Sequence, residues 1–149
     1  MKIALASDHR GFKIKNMLSE FLQEKGFEVR DYGTYSSDSC DYPDYTYRAC
    51  DAVRTKKADR AIVICYTGIG SAIAANKVCG IRAALVYNIK GAAMSRRHNN
   101  ANVLVLPSYF LTRETLKKIT LRWLKEQFEG GRHLRRIKKI NEIEEQEHV

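Results

Sequence analysis

Residues 60–77 read RAIVICYTGIGSAIAANK. The first half is a nearly unbroken apolar run, as expected of a strand covered on both faces. It ends on Cys65. A short glycine turn follows, and then small residues suited to a helix. The rest of the chain repeats this strand-then-helix unit. KIALAS (2–7), FEVRDYG (27–33), IRAALVY (81–87) and NVLVLP (102–107) complete five strand-like runs. Between the first two, residues 13–25 place Ile14, Met17, Leu18, Phe21 and Leu22 on one helical stripe, with Gly26 as the C-cap. Further helices are expected over 44–57, just after Pro43, over 70–78 and over 90–97. Another is expected over 112–127, with Thr112 as N-cap and Leu116, Ile119, Leu124 and Phe128 inward. Strands alternating with helices imply a parallel sheet with helices on both faces.

The chain has 149 residues, which suits one domain with a single core. It is 44% hydrophobic and 29% charged, ordinary for a globular protein. No apolar run approaches the roughly 18 residues of a membrane span. The start, MKIALASDHR, lacks a secretory signal, because Asp8 and His9 interrupt its short apolar part. A cytoplasmic protein is expected. The four cysteines, Cys40, Cys50, Cys65 and Cys79, form no C-x-x-C pair and no zinc pattern. Cys40, Cys50 and Cys79 read as small apolar fillers.

The formal net charge of +9 favours anionic partners. The basic residues are scattered, no aromatic residues interleave with them, and the densest set runs into the acidic stretch 142–147. No nucleic-acid platform is suggested. After Gly130 and Gly131, a charged helix carries Leu134, Ile137, Ile140 and Ile143 spaced by three. That stripe is too narrow for a core of its own and is expected to dock on the domain or on a partner subunit.

Ligands of parallel sheets bind at the carboxyl ends of the strands. In the quoted stretch that end is GIGSAI. It is no dinucleotide fingerprint, since Ile73 stands where glycine or alanine is needed, and it has no G-K-[ST]. Gly68 and Gly70 still permit a close backbone approach, and the N–H groups of the next helix can hold an anion or an oxyanion. Cys65 and Thr67 flank that spot, and a helix N-terminus favours a thiolate. The alternative is a tight connection beside a buried cysteine. SDHRG (7–11), DYPDY (41–45) and RRHNNAN (96–102) add carboxylates, tyrosines, His9, His98, Asn99 and Asn100. Arg132 and Arg136, four apart, share a helix face and suit a phosphate. No three His, Cys or carboxylate positions show metal-ligand spacing, so no metal is expected.

SDHRGF, DYPDY, ICYTGIG, AANK, GIRAAL, RRHNNANVL and EGGRH occur in this order over residues 3 to about 136. With them the chain resembles the type B ribose-5-phosphate isomerases, within the sugar-phosphate isomerases that include the allose-6-phosphate and galactose-6-phosphate enzymes. The resemblance implies a Rossmann-like three-layer α/β/α sandwich with a five-stranded, mainly parallel sheet. It implies one isomerase domain over 1–149, with a core to residue 129 and a phosphate-clamp and docking helix after it. It also implies a homodimer or tetramer with sites between subunits, and no cofactor. The reaction implied interconverts ribose 5-phosphate and ribulose 5-phosphate through a cis-enediolate, in the pentose phosphate pathway. Cys65 would be the base and Thr67 would help position the proton transfer. The N–H groups from Tyr66 through Gly68, Ile69 and Gly70 to Ser71 would hold the oxyanion. His98 would open the sugar ring, with Asp8 nearby. Tyr42 and Asn99 would bind hydroxyls. His9, Arg132 and Arg136 would bind the phosphate, the arginines from the other subunit. Isomerisation of a six-carbon sugar phosphate and a sugar-phosphate-binding module are the alternative functions. Two positions depart from the family: Tyr66 stands where glycine is usual, and Tyr109 where arginine is frequent. A positive φ at residue 66 would strain a tyrosine.

Overall fold

The computed structural model describes residues 1–147. In chain order its elements are β1 (Lys2–Ser7), α1 (Phe12–Glu24), β2 (Glu28–Asp31), α2 (Tyr42–Arg54), β3 (Arg60–Cys65) and α3 (Ile69–Ala75). Then come β4 (Ala83–Leu85), α4 (Ile89–Asn99), β5 (Val103–Pro107), α5 (Arg113–Lys125) and α6 (Arg132–Glu147). The strands form one sheet in the order β2-β1-β3-β5-β4, with every pairing parallel. From β1 the chain steps outward to β2, and from β3 it steps the opposite way to β4. Neighbouring strands that depart in opposite directions leave a crevice at their carboxyl ends, here between Ser7 and Cys65.

The pleat sorts the strand residues by size. Ile3, Leu5, Ile62, Ile64, Leu104 and Leu106 face α1, α4 and α5, packing with Leu18, Leu22, Leu116, Ile119 and Trp123. Ala4, Ala6, Ala61, Val63, Val103 and Val105 face α2 and α3, against Ala49, Cys50 and Ala75. Both faces are fully buried, which is why RAIVIC lacks polar alternation. Burial pushes the Cys50 thiol up to about 12. The filler reading fails for Cys79, which is exposed, and for Cys40, which is half-buried, because both lie in loops rather than beneath a helix.

Several boundaries move. α2 begins at Tyr42, one residue before Pro43, since a first-turn proline forfeits no helical hydrogen bond. The expected strand 81–87 shrinks to Ala83–Leu85 because β4 is an edge strand with one neighbour. Thr112 caps α5 as expected, its Oγ1 accepting from the Thr115 N–H at 3.2 Å. On α6 only His133 and Ile137 are buried, while Leu134, Ile140 and Ile143 remain exposed. The Glu144 carboxylate accepts from the Gly80 N–H at 2.9 and 3.0 Å, which draws α6 toward the β4 edge. Between them lies a cleft of about 680 Å³.

Charged side chains are buried away from the strand ends as well. Lys15 pairs with Asp31 beneath α1. Arg60 and Arg96 lie over the Trp123 ring and donate to backbone carbonyls of Trp123, Leu124 and Ala101. Burial, with repulsion from Arg60 and Arg82, pulls Arg96 down to about 10.

Candidate active site

Cys65 ends β3 at 5% exposure, in register with Pro107 of β5. Its carbonyl accepts from Ser108, and that of Tyr66 from Tyr109, so the glycine turn is tied to the end of β5. Gly68 has φ +78°, and a Cβ there would meet Leu85 at 2.4 Å. Only glycine turns the chain into α3 at this point. A Cβ on Gly70 would meet the Tyr42 ring at 2.5 Å, so Tyr42 lies directly against the turn. Thr67 Oγ1 accepts from the Ile69 N–H at 3.3 Å, and Ser71 Oγ accepts from Thr46 at 3.2 Å. The free N–H groups of the first turn of α3 thus open beside the thiol.

Across the crevice, the Asp8 N–H donates to the Ile64 carbonyl at 3.2 Å, and Asp8 Oδ1 accepts from Gly11 at 2.9 Å. His9 Nδ1 accepts from the Cys40 N–H at 3.2 Å, which leaves Nε2 available. Asp8, His9, Tyr42, Cys65, Tyr66, Thr67, Gly68, Ile69, Gly70 and Ser71 therefore gather at one edge of the sheet. Tyr66 causes no strain there. Among the described residues, the non-glycine ones with positive φ are Lys56 and Asn100. Its ring packs on Tyr109 at 4.5 Å, under the Arg10 guanidinium at 4.9 Å.

The other expected residues sit elsewhere. α4 runs back along the sheet, so His98 and Asn99 lie level with the strand starts. The Asn99 carbonyl accepts from Arg82, just ahead of β4, and Ala61 near the start of β3 donates to Asn102. That corner is about 17 Å from Cys65, the rise of a six-residue strand. Arg132 and Arg136 begin α6 at the same corner, both exposed. Within one chain, His98 does not come near Asp8.

This second corner has a structure of its own. The His98 and His133 rings stack at 4.3 Å, 11° apart. Glu129 Oε2 lies 3.8 Å from His98 Nε2 and 3.6 Å from His133 Nε2, while Oε1 accepts from Arg97 Nε at 2.5 Å. Burial pushes His133 below the usual histidine range, helped by His98 and Arg132 and opposed by Glu129. Glu129 and His133 are absent from the candidates drawn from the sequence. Their four-residue spacing was a signal, but the third member lies 31 residues upstream of Glu129. The ligand atoms of His98, Glu129 and His133 lie within 4.8 Å of one another. Stacked rings send their in-plane lone pairs side by side rather than to one point, so the group is not preorganised for a cation.

A doubly wound parallel sheet with a cysteine and a glycine turn at its switch point defines an α/β domain whose candidate active site lies at the carboxyl ends of its strands. Residues 3–140 match the family model described as Ribose/Galactose Isomerase, and the chain belongs to that family. It is 44% identical over 144 residues to the ribose-5-phosphate isomerase B of Escherichia coli (strain K12), covering 97% of each chain. The structure of a Clostridium thermocellum ribose-5-phosphate isomerase B superposes with a TM-score of 0.97 at 47% identity, over 98% of this chain and 99% of that one. The Mycoplasma genitalium ribose-5-phosphate isomerase B, solved with bound ribulose-5-phosphate, gives 0.93 at 47% identity, over 97% and 96%.

Proposed function

We propose that this chain is a ribose-5-phosphate isomerase that moves a proton between C2 and C1 of the open sugar. The observation that carries this is Cys65 beside the glycine turn, at the switch point of a chain 47% identical to a protein solved with ribulose-5-phosphate. The thiolate takes the C2 proton of the aldose, leaving a cis-enediolate. The thiol returns the proton to C1 while the hydroxyl proton on O2 passes to O1, so that C2 becomes the ketone and C1 the primary alcohol. The N–H groups from Tyr66 to Ser71 bear the enediolate charge, Thr67 positions the transfer, and Tyr42 and Asp8 meet the hydroxyls. His9 offers Nε2 to the phosphate. This chemistry needs no cofactor.

The substrate also requires a residue that opens the furanose and cations that hold the phosphate. His98, Asn99, Arg132 and Arg136 suit both tasks, and about 17 Å separates them from Cys65. Two chains resolve this: the second corner of one subunit covers the cysteine corner of another, in a homodimer or a pair of dimers. The enzyme works in the cytoplasm, and the helix from residue 130 serves as clamp and docking element.

No helix among the described residues is long and apolar enough to cross a membrane. The test is the isomerisation of ribose 5-phosphate by the wild type and by Cys65→Ala. Removing a general base costs about a hundredfold or more in kcat. A variant that stays folded and retains wild-type turnover would show that Cys65 is not the base.

A further inference from the structure

Proton transfer at Cys65 leaves Glu129 without a task, yet this carboxylate is closely held. Its Oε1 accepts from Arg97 Nε at 2.5 Å, and its backbone N–H donates to the Arg97 carbonyl at 3.0 Å. Arg97 precedes His98, so both links fasten Glu129 to the end of α4. Its Oε2 faces Nε2 of His98 at 3.8 Å and Nε2 of His133 at 3.6 Å. Those distances exceed a direct hydrogen bond, so the carboxylate acts on both rings as a charge. The His133 ring, stacked at 4.3 Å, fixes the plane in which His98 lies.

We propose that Glu129 is a positioning residue for ring opening: it keeps the His98 proton on Nε2, so that Nδ1 is the atom that meets the sugar. This rests on the isomerase reading above, with His98 at the sugar ring. A negative charge beside Nε2 favours the tautomer protonated there. Neutral His98 then accepts the proton of the anomeric hydroxyl on Nδ1. The bond from C1 to the ring oxygen breaks and the C1 carbonyl forms. The same Nδ1–H passes its proton to the ring oxygen, so His98 ends neutral and the sugar ends open.

Ribulose 5-phosphate separates this step from the chemistry at Cys65. Its C5 oxygen carries the phosphate, so it cannot close to a furanose and reaches the enediolate without ring opening. Wild type, Glu129→Gln and Glu129→Asp are compared in two measurements. One is net conversion of ribose 5-phosphate. The other is exchange of the ketose C1 hydrogen in D2O, read by proton NMR. In Glu129→Gln, conversion falls roughly ten- to a hundredfold in kcat with little change in KM. The ratio of exchange to conversion rises by about the same factor. Glu129→Asp, which keeps the charge but withdraws it, falls between. Circular dichroism and mass by light scattering confirm the folded assembly, and if Glu129→Gln does not fold, Glu129→Asp carries the same reading.

A folded variant with wild-type conversion overturns the proposal. So does a parallel loss of exchange and conversion, which marks a structural role. A wild type that neither converts nor exchanges removes the isomerase reading itself, and this inference with it.

Discussion

Gly68 shows how much of the site rests on one backbone angle. Its φ of +78° lies where a β-carbon is disfavoured, and that carbon would also collide with Leu85 at 2.4 Å. Both faults act at the joint between Cys65 and α3. Gly68→Ala should cost about 1–3 kcal/mol. For a chain of this length the melting temperature should fall by roughly 3–10 °C, measurable by calorimetry. The turn must also shift, so turnover should drop by more than the unfolded fraction explains. An unchanged melting temperature would mean that the turn is not as rigid as its geometry implies. Tyr66, directly after the cysteine, makes the opposite point. Its backbone lies outside the positive-φ region, and its ring leans on Tyr109 under Arg10. The strain considered from the sequence does not arise, because the left-handed turn falls two residues later.

Among the elements, α6 carries a contact that depends on pH. Its base is anchored by His133, stacked on His98 and buried against the end of α4. Burial holds the folded pKa of His133 below its value in the unfolded chain, near 6.5. The proton therefore favours the unfolded state. The penalty is absent well above pH 6.5, grows as pH falls through 6.5, and levels off below the lowered folded value. Urea midpoints measured between pH 8 and pH 5 should decline more steeply for the wild type than for His133→Gln, which has no proton to gain. Equal slopes would place the loss elsewhere. The opposite end of α6 is held differently, by Glu144 on the Gly80 N–H across the cleft at the β4 edge.

At the scale of the whole molecule, the separation of the two corners makes a quantitative prediction. If each site takes Cys65 from one chain and His98 from another, two defective chains can complement one another. Mixing and refolding Cys65→Ala with His98→Gln in equal amounts should yield heterodimers in which one of the two sites is intact. Random pairing of subunits gives about a quarter of wild-type activity from two nearly inactive proteins. If the mixture shows only the average of its parents, each site lies within a single chain.

What the sequence settled on its own is the local and periodic part. Apolar runs of strand length, the helical stripe from Ile14 to Leu22, the Thr112 cap and the glycine turn after Cys65 all depend on near neighbours, and near neighbours are written in order. The α/β class and the cysteine corner follow, because each loop at the carboxyl edge directly succeeds its own strand. Tertiary structure decided the rest. Only the strand order, with β5 between β3 and β4, makes β4 a short edge strand. Only the direction of α4 carries His98 to the far end of the sheet from Cys65. The meeting of His98 with Glu129 and His133 joins residues separated by a strand and a helix. Such contacts depend on how completed elements pack, and the four-residue spacing of Glu129 and His133 does not point to His98 as their neighbour.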